Sequence, residues 1–187
     1  KPIGGLGNAE ASWHSDMTYN PVIPTASVLL GEEIPPVGGD THFANQFAAY
    51  EALPVALKQR LETVRIKHDA AHNSVGELRS TYAQPSSPVD APGAVHPAVM
   101  VHPETGRKAL FLGRRDWAYI PGLSLADSEA LLDEIWSYAA PAQFVWTQQW
   151  RVGDVVIWDN RSALHKRDDF DPAQRRLMRR CQVLARQ

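Results

Sequence analysis

Trp13-His14-Ser15-Asp16, near the start, and Trp158-Asp159-Asn160-Arg161-Ser162-Ala163-Leu164-His165, near the end, decide the reading of this chain. Together they offer two imidazoles and one carboxylate, the ligand set of a facial non-haem iron(II) site with positions left open for substrate and oxygen. Residues i and i+2 of an extended strand project from one face, so His14 and Asp16 are expected to grip one ion side by side. The third ligand must then come from far along the chain, on a strand folded back beside the first. His165 meets that need in a closed β-structure.

A His-x-acid pair is weak without context. A competitor exists in His102-Pro103-Glu104. There, Pro103-Glu104-Thr105-Gly106 separates the apolar runs 98–100 and 109–112, which reads as a hairpin turn with Glu104 in solvent.

The surrounding chain is strand-rich. Apolar runs with Val, Ile, Phe and Trp recur at 25–30, 64–67, 95–101, 109–112, 144–150, 155–158 and 177–184, with Gly38-Gly39-Asp40 and Gly153-Asp154 as turns between them. Short strands with long-range return connections predict a mainly β fold with flanking helices, built on a double-stranded β-helix, or jelly-roll, core. Two helices interrupt it. The first spans 46–61 and is divided by Pro54. The second spans 125–140, with Ser124 and Asp127 as a near capping box and Leu131, Leu132, Ile135, Trp136 and Ala139 as a core-facing stripe.

With 187 residues the chain is expected to form a single domain, 1–187, large enough for its own core. It opens at Lys1 in what reads as a loop entered midway, so a further N-terminal segment is expected upstream. The polar, Pro/Ser-rich segment 73–93 is expected to be a lid or a disordered insertion. A formal charge of −2, from 19 basic and 21 acidic side chains, gives no electrostatic footprint for nucleic acid or an anionic membrane. The single cysteine, Cys181, excludes an internal disulfide framework; it reads as a packed small residue and fits a reducing cytoplasm.

Arg175-Arg176-Leu177-Met178-Arg179-Arg180-Cys181-Gln182 is the second constellation. On a strand, either face carries two arginines. A buried unpaired guanidinium is costly, and Arg's planar fork suits a carboxylate, so an anionic cosubstrate is the economical reading. A solvated basic edge paired with Asp168, Asp169 and Asp171 is the alternative. Thr41 reads from spacing as an ordinary strand residue, and Asp159 and Arg161 read as structural pairing.

These motifs occur in a familiar order: Trp13-His14-Ser15-Asp16, Gly38-Gly39-Asp40-Thr41, Gly153-Asp154 leading to Leu164-His165, then Arg176-x-Met178-x-Arg180. The chain resembles the taurine/2,4-D dioxygenase family of Fe(II)- and 2-oxoglutarate-dependent oxygenases. The resemblance implies that His14, Asp16 and His165 hold Fe(II), and that Arg176 and Thr41 receive the distal carboxylate of 2-oxoglutarate. It also implies that Arg180 holds the acidic group of the primary substrate. The reaction implied consumes O2 and 2-oxoglutarate, hydroxylates a small anionic organic molecule, and releases succinate and CO2. Homo-oligomers, dimers or tetramers, are common in the family.

Glu10 stands four residues before His14, where members acting on taurine have asparagine. That makes Glu10 a candidate substrate-facing residue and speaks against taurine itself. Segments 102–107 and 110–115 look closer to the branch that cleaves aryloxyalkanoates. Two rivals remain at this stage: a zinc hydrolase using the same ligands, and a non-catalytic anion-binding β-sandwich. The first lacks His-Glu-x-x-His and a separate general base, and the second leaves the three candidate ligands without a role.

Overall fold

Every named strand pair runs antiparallel, so the fold is built from hairpins and long returns rather than crossovers. The structure is a computed structural model and describes residues 7–184. Its strands are β1 (Ala11–His14), β2 (Pro24–Glu33), β3 (Thr41–Asn45), β4 (Arg65–Lys67), β5 (Val95–Pro97), β6 (Val99–Val101), β7 (Lys108–Leu110), β8 (Val145–Gln148), β9 (Val155–Asp159), β10 (Ala163–Arg167) and β11 (Leu177–Leu184). The fold is mainly β, with three short helices: α1 (Gln46–Glu51), α2 (Val55–Leu61) and α3 (Leu125–Trp136).

Two sheets carry the architecture, in orders β1-β10-β3-β8 and β11-β2-β9. They meet through aromatic rings: Phe43 on β3 and Trp158 on β9 lie 5.2 Å apart between centroids, and both touch His165 on β10. A separate apolar core, with Leu57, Leu61, Ile66, Leu112, Leu132 and Ile135 each 4 % exposed or less, packs the helices against the small hairpins.

Local chemistry explains the helices. Asn45 caps α1 by accepting from the amides of Phe47 and Ala48, and Pro54 separates α1 from α2. Ser124 caps α3 by accepting from the Asp127 amide, while its hydroxyl donates to the Asp127 carboxylate at 2.6 Å. The helix ends at Trp136, earlier than the apolar pattern suggested, although Ala139 is still buried beyond it.

Several sequence expectations change. The run 95–101 is two strands, because the Ala98 amide leaves to bond the Val64 carbonyl. Both β3 and β10 escaped the apolar-run reading, since His, Lys, Arg and Asn interrupt them. Cys181 is exposed, not packed: β11 turns Met178 and Gln182 inward, with Arg176 part-buried just before it, and leaves Cys181 and Val183 on the outer face. Segment 73–93 contains no helix or strand, but it is not loose chain. Arg79 bonds the His72 carbonyl and the Tyr19 hydroxyl, and the Arg79 amide bonds the Ala71 carbonyl.

Candidate metal centre and its cavity

Register brings the first two histidines together. In the β1–β10 pair His14 lies directly opposite His165, and their rings approach to 4.2 Å between centroids. Asp16 arrives differently from the strand rule. β1 stops at His14, and Asp16 is the first residue of the turn that follows. Two clamps hold that turn. The Asp16 amide donates to Asn160 Oδ1 at 2.7 Å, while Asn160 Nδ2 donates to the carbonyls of Asp16 and Pro24 at 2.9 and 3.2 Å. Asn160 is wholly buried, so the start of the turn is pinned by a side chain 144 residues away. Met17 then takes a positive φ of 53°, which bends the chain away from the strand.

The result is convergent. One ligand atom from each of His14, Asp16 and His165 lies within 4.8 Å of the others. Asp16 Oδ1 is 4.0 Å from His14 Nε2 and 3.8 Å from His165 Nε2. His14 Nδ1 lies 2.7 Å from the Ser12 carbonyl, which requires a proton on Nδ1 and leaves Nε2 bare to face the ion. Asp16 Oδ2 accepts from the Ser27 hydroxyl at 2.7 Å, and Oδ1 accepts from Arg180 at 2.9 Å.

Protonation also suits a metal. Burial pushes both imidazoles down, His165 to about 3, so they are neutral donors at neutral pH. Burial pushes the Asp16 carboxyl up, but His165, Arg180, His14 and the Ser27 hydroxyl outweigh it, and its pKa ends below the ordinary value. Two neutral imidazoles and a carboxylate on one face fit Fe(II).

Arg176 and Thr41 are each held at or next to the Gly38–Thr41 stretch. The Arg176 side chain passes so close to Gly39 that a Cβ there would sit 2.9 Å from its Cδ, and Gly39 takes a φ of +72°. Only glycine fits both demands. Arg176 Nε donates to the Gly39 carbonyl at 3.1 Å, and no carboxylate among the described residues pairs with it. Burial lowers its pKa to about 10, so it remains cationic. Thr41, buried at the start of β3, accepts from Trp150 Nε1 at 2.9 Å, which keeps its own hydroxyl hydrogen for another acceptor.

A cavity of about 360 Å³ opens beside the triad, with Arg180 at the metal and Thr18, Tyr19, His68, Arg79 and Arg114 among its walls. Arg176 and Thr41 lie outside this lining. So does Glu10, which is exposed and pairs with Lys166 at 3.2 Å. Asn160, Ser27, Arg79 and His68 carried no assignment from sequence. A buried asparagine just after an apolar strand was the one available hint.

The hairpin at 103–106 forms as expected, its Gly106 amide closing on the His102 carbonyl. Glu104, however, is not simply solvated. It pairs with Arg161 at 3.0 Å and with His102 at 3.3 Å. Asp159 and Arg161 pair structurally at 2.5 Å, as read from sequence.

This fold and this donor set define a class, and comparison with known proteins gives the same one. Residues 2–182 match the pattern described as "Taurine catabolism dioxygenase TauD, TfdA family", and the chain belongs to that family. It is 41% identical over 172 residues to (S)-phenoxypropionate/alpha-ketoglutarate-dioxygenase of Sphingobium herbicidovorans, covering 89% of this chain and 59% of that one. It is 37% identical over 182 residues to alpha-ketoglutarate-dependent 2,4-dichlorophenoxyacetate dioxygenase of Cupriavidus pinatubonensis, covering 96% of this chain and 62% of that one. The chain therefore spans about three fifths of these relatives. Among solved structures, AAD-2 in complex with Mn(II) and N-oxalylglycine aligns with a TM-score of 0.82 at 31% identity, over 95% of this chain and 69% of that one.

Proposed function

We propose that this chain is the catalytic domain of an Fe(II)- and 2-oxoglutarate-dependent dioxygenase that hydroxylates a small anionic organic substrate. The convergence of His14, Asp16 and His165 carries the reading. Relatives named for phenoxypropionate and 2,4-dichlorophenoxyacetate support an aryloxyalkanoate or a similar acid. Two antiparallel sheets that meet through Phe43, Trp158 and His165 support a double-stranded β-helix core. The proposed setting is cytoplasmic, in keeping with a single exposed cysteine.

When bound, the iron with dioxygen supplies the oxidation that splits 2-oxoglutarate into succinate and CO2 and places a hydroxyl on the substrate. The chain's own part is position. His14, Asp16 and His165 would hold the ion. Arg176 presents its free fork, and Thr41 its hydroxyl hydrogen, toward the far carboxylate of 2-oxoglutarate. Arg180, beside Asp16, faces the acidic group of the substrate. Trp158 and Phe43 close the floor behind His165 against water.

Anaerobic titration with Fe(II) and 2-oxoglutarate tests this. A weak visible charge-transfer band that needs both is expected in the wild type and absent in Asp16→Ala. Metal-dependent hydrolysis without oxygen uptake would support the zinc reading instead.

A further inference from the structure

The cavity's charges do not balance. Three guanidinium groups line it, from Arg79, Arg114 and Arg180. Arg114 is committed: it pairs with the buried Asp69 carboxylate at 3.1 Å and also bonds the Asn73 and Asp69 carbonyls. Arg180 gives NH1 to Asp16 at 2.9 Å, which balances its charge but leaves its other N–H donors for a ligand. Arg79 is half-buried, and among the described residues no carboxylate lies within 4.0 Å of it.

The bonds Arg79 does make leave its recognition edge free. Nε donates to the His72 carbonyl at 3.2 Å, and NH1 donates to the Tyr19 hydroxyl at 2.9 Å. Its plane also stacks over the Tyr19 ring at 4.3 Å. A guanidinium has five N–H donors, so the NH2 hydrogens and one on NH1 have no protein acceptor. Those hydrogens form the outward fork that fits a carboxylate, sulfate or sulfonate.

A second observation lies in the same cavity wall. His68 is 2 % exposed, and neither ring nitrogen has a hydrogen-bond partner among the described residues. Buried imidazole nitrogens are seldom left so. Glycine at 113 permits this placement, since a Cβ there would fall 2.0 Å from His68 Nδ1. One cavity is thus lined by Arg180, which bonds Asp16, and also by Arg79 and His68, neither of which contacts a triad residue through a hydrogen bond or ion pair among the described residues.

We propose that Arg79, with His68 in the same cavity lining, forms a second anion-receiving subsite, so that the primary substrate carries two acidic groups. This rests on the oxygenase reading given above and deepens it. One acidic group meets Arg180 near the iron, and the other meets the fork of Arg79, with the neutral His68 ring as a further hydrogen-bond partner. Arg79 is then a specificity-determining residue carried by segment 73–93.

Two probes of one skeleton separate the possibilities: phenoxyacetate, with one acid, and 4-carboxyphenoxyacetate, with two. The holoenzyme with Fe(II) is assayed for probe-stimulated 2-oxoglutarate consumption, and calorimetry measures binding of each probe. The dianion is expected to show a KM and Kd roughly tenfold lower, as one added ion pair predicts. Arg79→Gln keeps an amide donor at the place of Nε but removes the charge and the fork, and should collapse the ratio toward one. Arg79→Glu should reverse the preference in favour of 4-(aminomethyl)phenoxyacetate, an outcome that a purely structural Arg79 would not produce. Equal affinity for the two acids in the wild type, an advantage that survives Arg79→Gln, or no binding of either probe would each overturn the proposal. Failure of the oxygenase reading looks different: no iron- and 2-oxoglutarate-dependent band in the wild type, whatever the probes do.

Discussion

The chain contains two His-x-acid pairs, each joined by a distant residue, and only one of them makes a metal centre. His14 and Asp16 meet His165; His102 and Glu104 meet Asp159. Both histidines are largely buried, and both clusters lie close to the 158–165 segment. Each cluster carries an arginine, Arg180 on Asp16 in one and Arg161 on Asp159 and Glu104 in the other, so the difference is how close the imidazoles stand to the carboxylates. Arg161 bonds Asp159 at 2.5 Å and Glu104 at 3.0 Å, and His102 Nε2 bonds Asp159 directly at 2.9 Å, which leaves no gap for an ion between that imidazole and its carboxylate. In the triad, the imidazole nitrogens facing Asp16 stand 3.8 to 4.0 Å off, too far to bond it and well spaced for an ion between them. Motif and burial do not distinguish a ligand set from an ion-pair knot. The spacing of the imidazole nitrogens from the carboxylate does.

The largest expected effect breaks the triad. His14→Ala, Asp16→Ala or His165→Ala should each weaken Fe(II) binding by more than roughly 100-fold, beyond what losing a supporting hydrogen bond costs. His102→Ala should leave metal stoichiometry at the wild-type value. Metal content after dialysis reads both, and a metal-free His102→Ala protein would erase the distinction between the two clusters.

Next is the clamp that makes Asp16 a ligand at all. Asn160→Ala orphans the buried amide and carbonyl of Asp16. A loss of roughly 2–3 kcal/mol in unfolding free energy is expected. Weaker iron affinity should accompany it, although Asn160 touches no ion. Denaturant melts and metal titration measure the two effects, and wild-type affinity in Asn160→Ala would show that the turn holds itself.

How far could the sequence be read? The His14–His165 pairing was legible because strand register is a local rule applied twice. Asp16 was placed on the right ion for a reason the structure replaces: it sits in a turn held by Asn160, not on the strand. A clamp between residues 144 positions apart leaves no local pattern. Arg176 was legible as an arginine needing an anion, but its path along Gly39 was not, because close approach between distant segments has no sequence period. The prolines and serines of segment 73–93 point to a lid or a disordered insertion. Arg79's place in the cavity depends on Tyr19 and the His72 carbonyl, which composition does not reveal.

Arginine commitment extends the comparison. Arg161 is saturated by carboxylates, whereas Arg176 has only the Gly39 carbonyl. Arg176→Lys should raise the KM for 2-oxoglutarate roughly tenfold, because a point charge does not replace a fork. Arg161→Lys should leave that constant unchanged. Steady-state kinetics with varied 2-oxoglutarate decide it, and equal effects from both changes would mean that Arg176 binds no cosubstrate.

Acid should separate a buried histidine without acidic partners from His102 and its two carboxylates. Burial, then His96 and Arg114, holds His68 at about 3, against 6.5 in the unfolded chain. The unfolded state therefore binds an extra proton between those values, and stability is full above about pH 6.5 and lost as pH falls toward 3. Each such group contributes a slope of about 1.4 kcal/mol per pH unit in that window. His68→Phe should flatten the slope by one proton in urea melts at pH 4 to 6. An unchanged slope would mean that His68 is not held neutral in the fold.

Glu104→Ala should have the smallest effect of all. Its carboxylate is 63 % exposed, and salt screens such pairs. Arg161 keeps Asp159 through three hydrogen bonds, two from the guanidinium and one from the amide, so the guanidinium is not orphaned. His102 keeps Asp159 as well. The melting midpoint should therefore move little, any shift should vanish at high salt, and iron binding should stay at the wild-type level. The contrast with Asp16→Ala is the sharpest form of the comparison: the same position relative to a histidine, opposite consequences for the metal. A Glu104→Ala protein that lost iron would mean that the ion binds at the hairpin cluster, and would reverse the assignment of the two His-x-acid pairs.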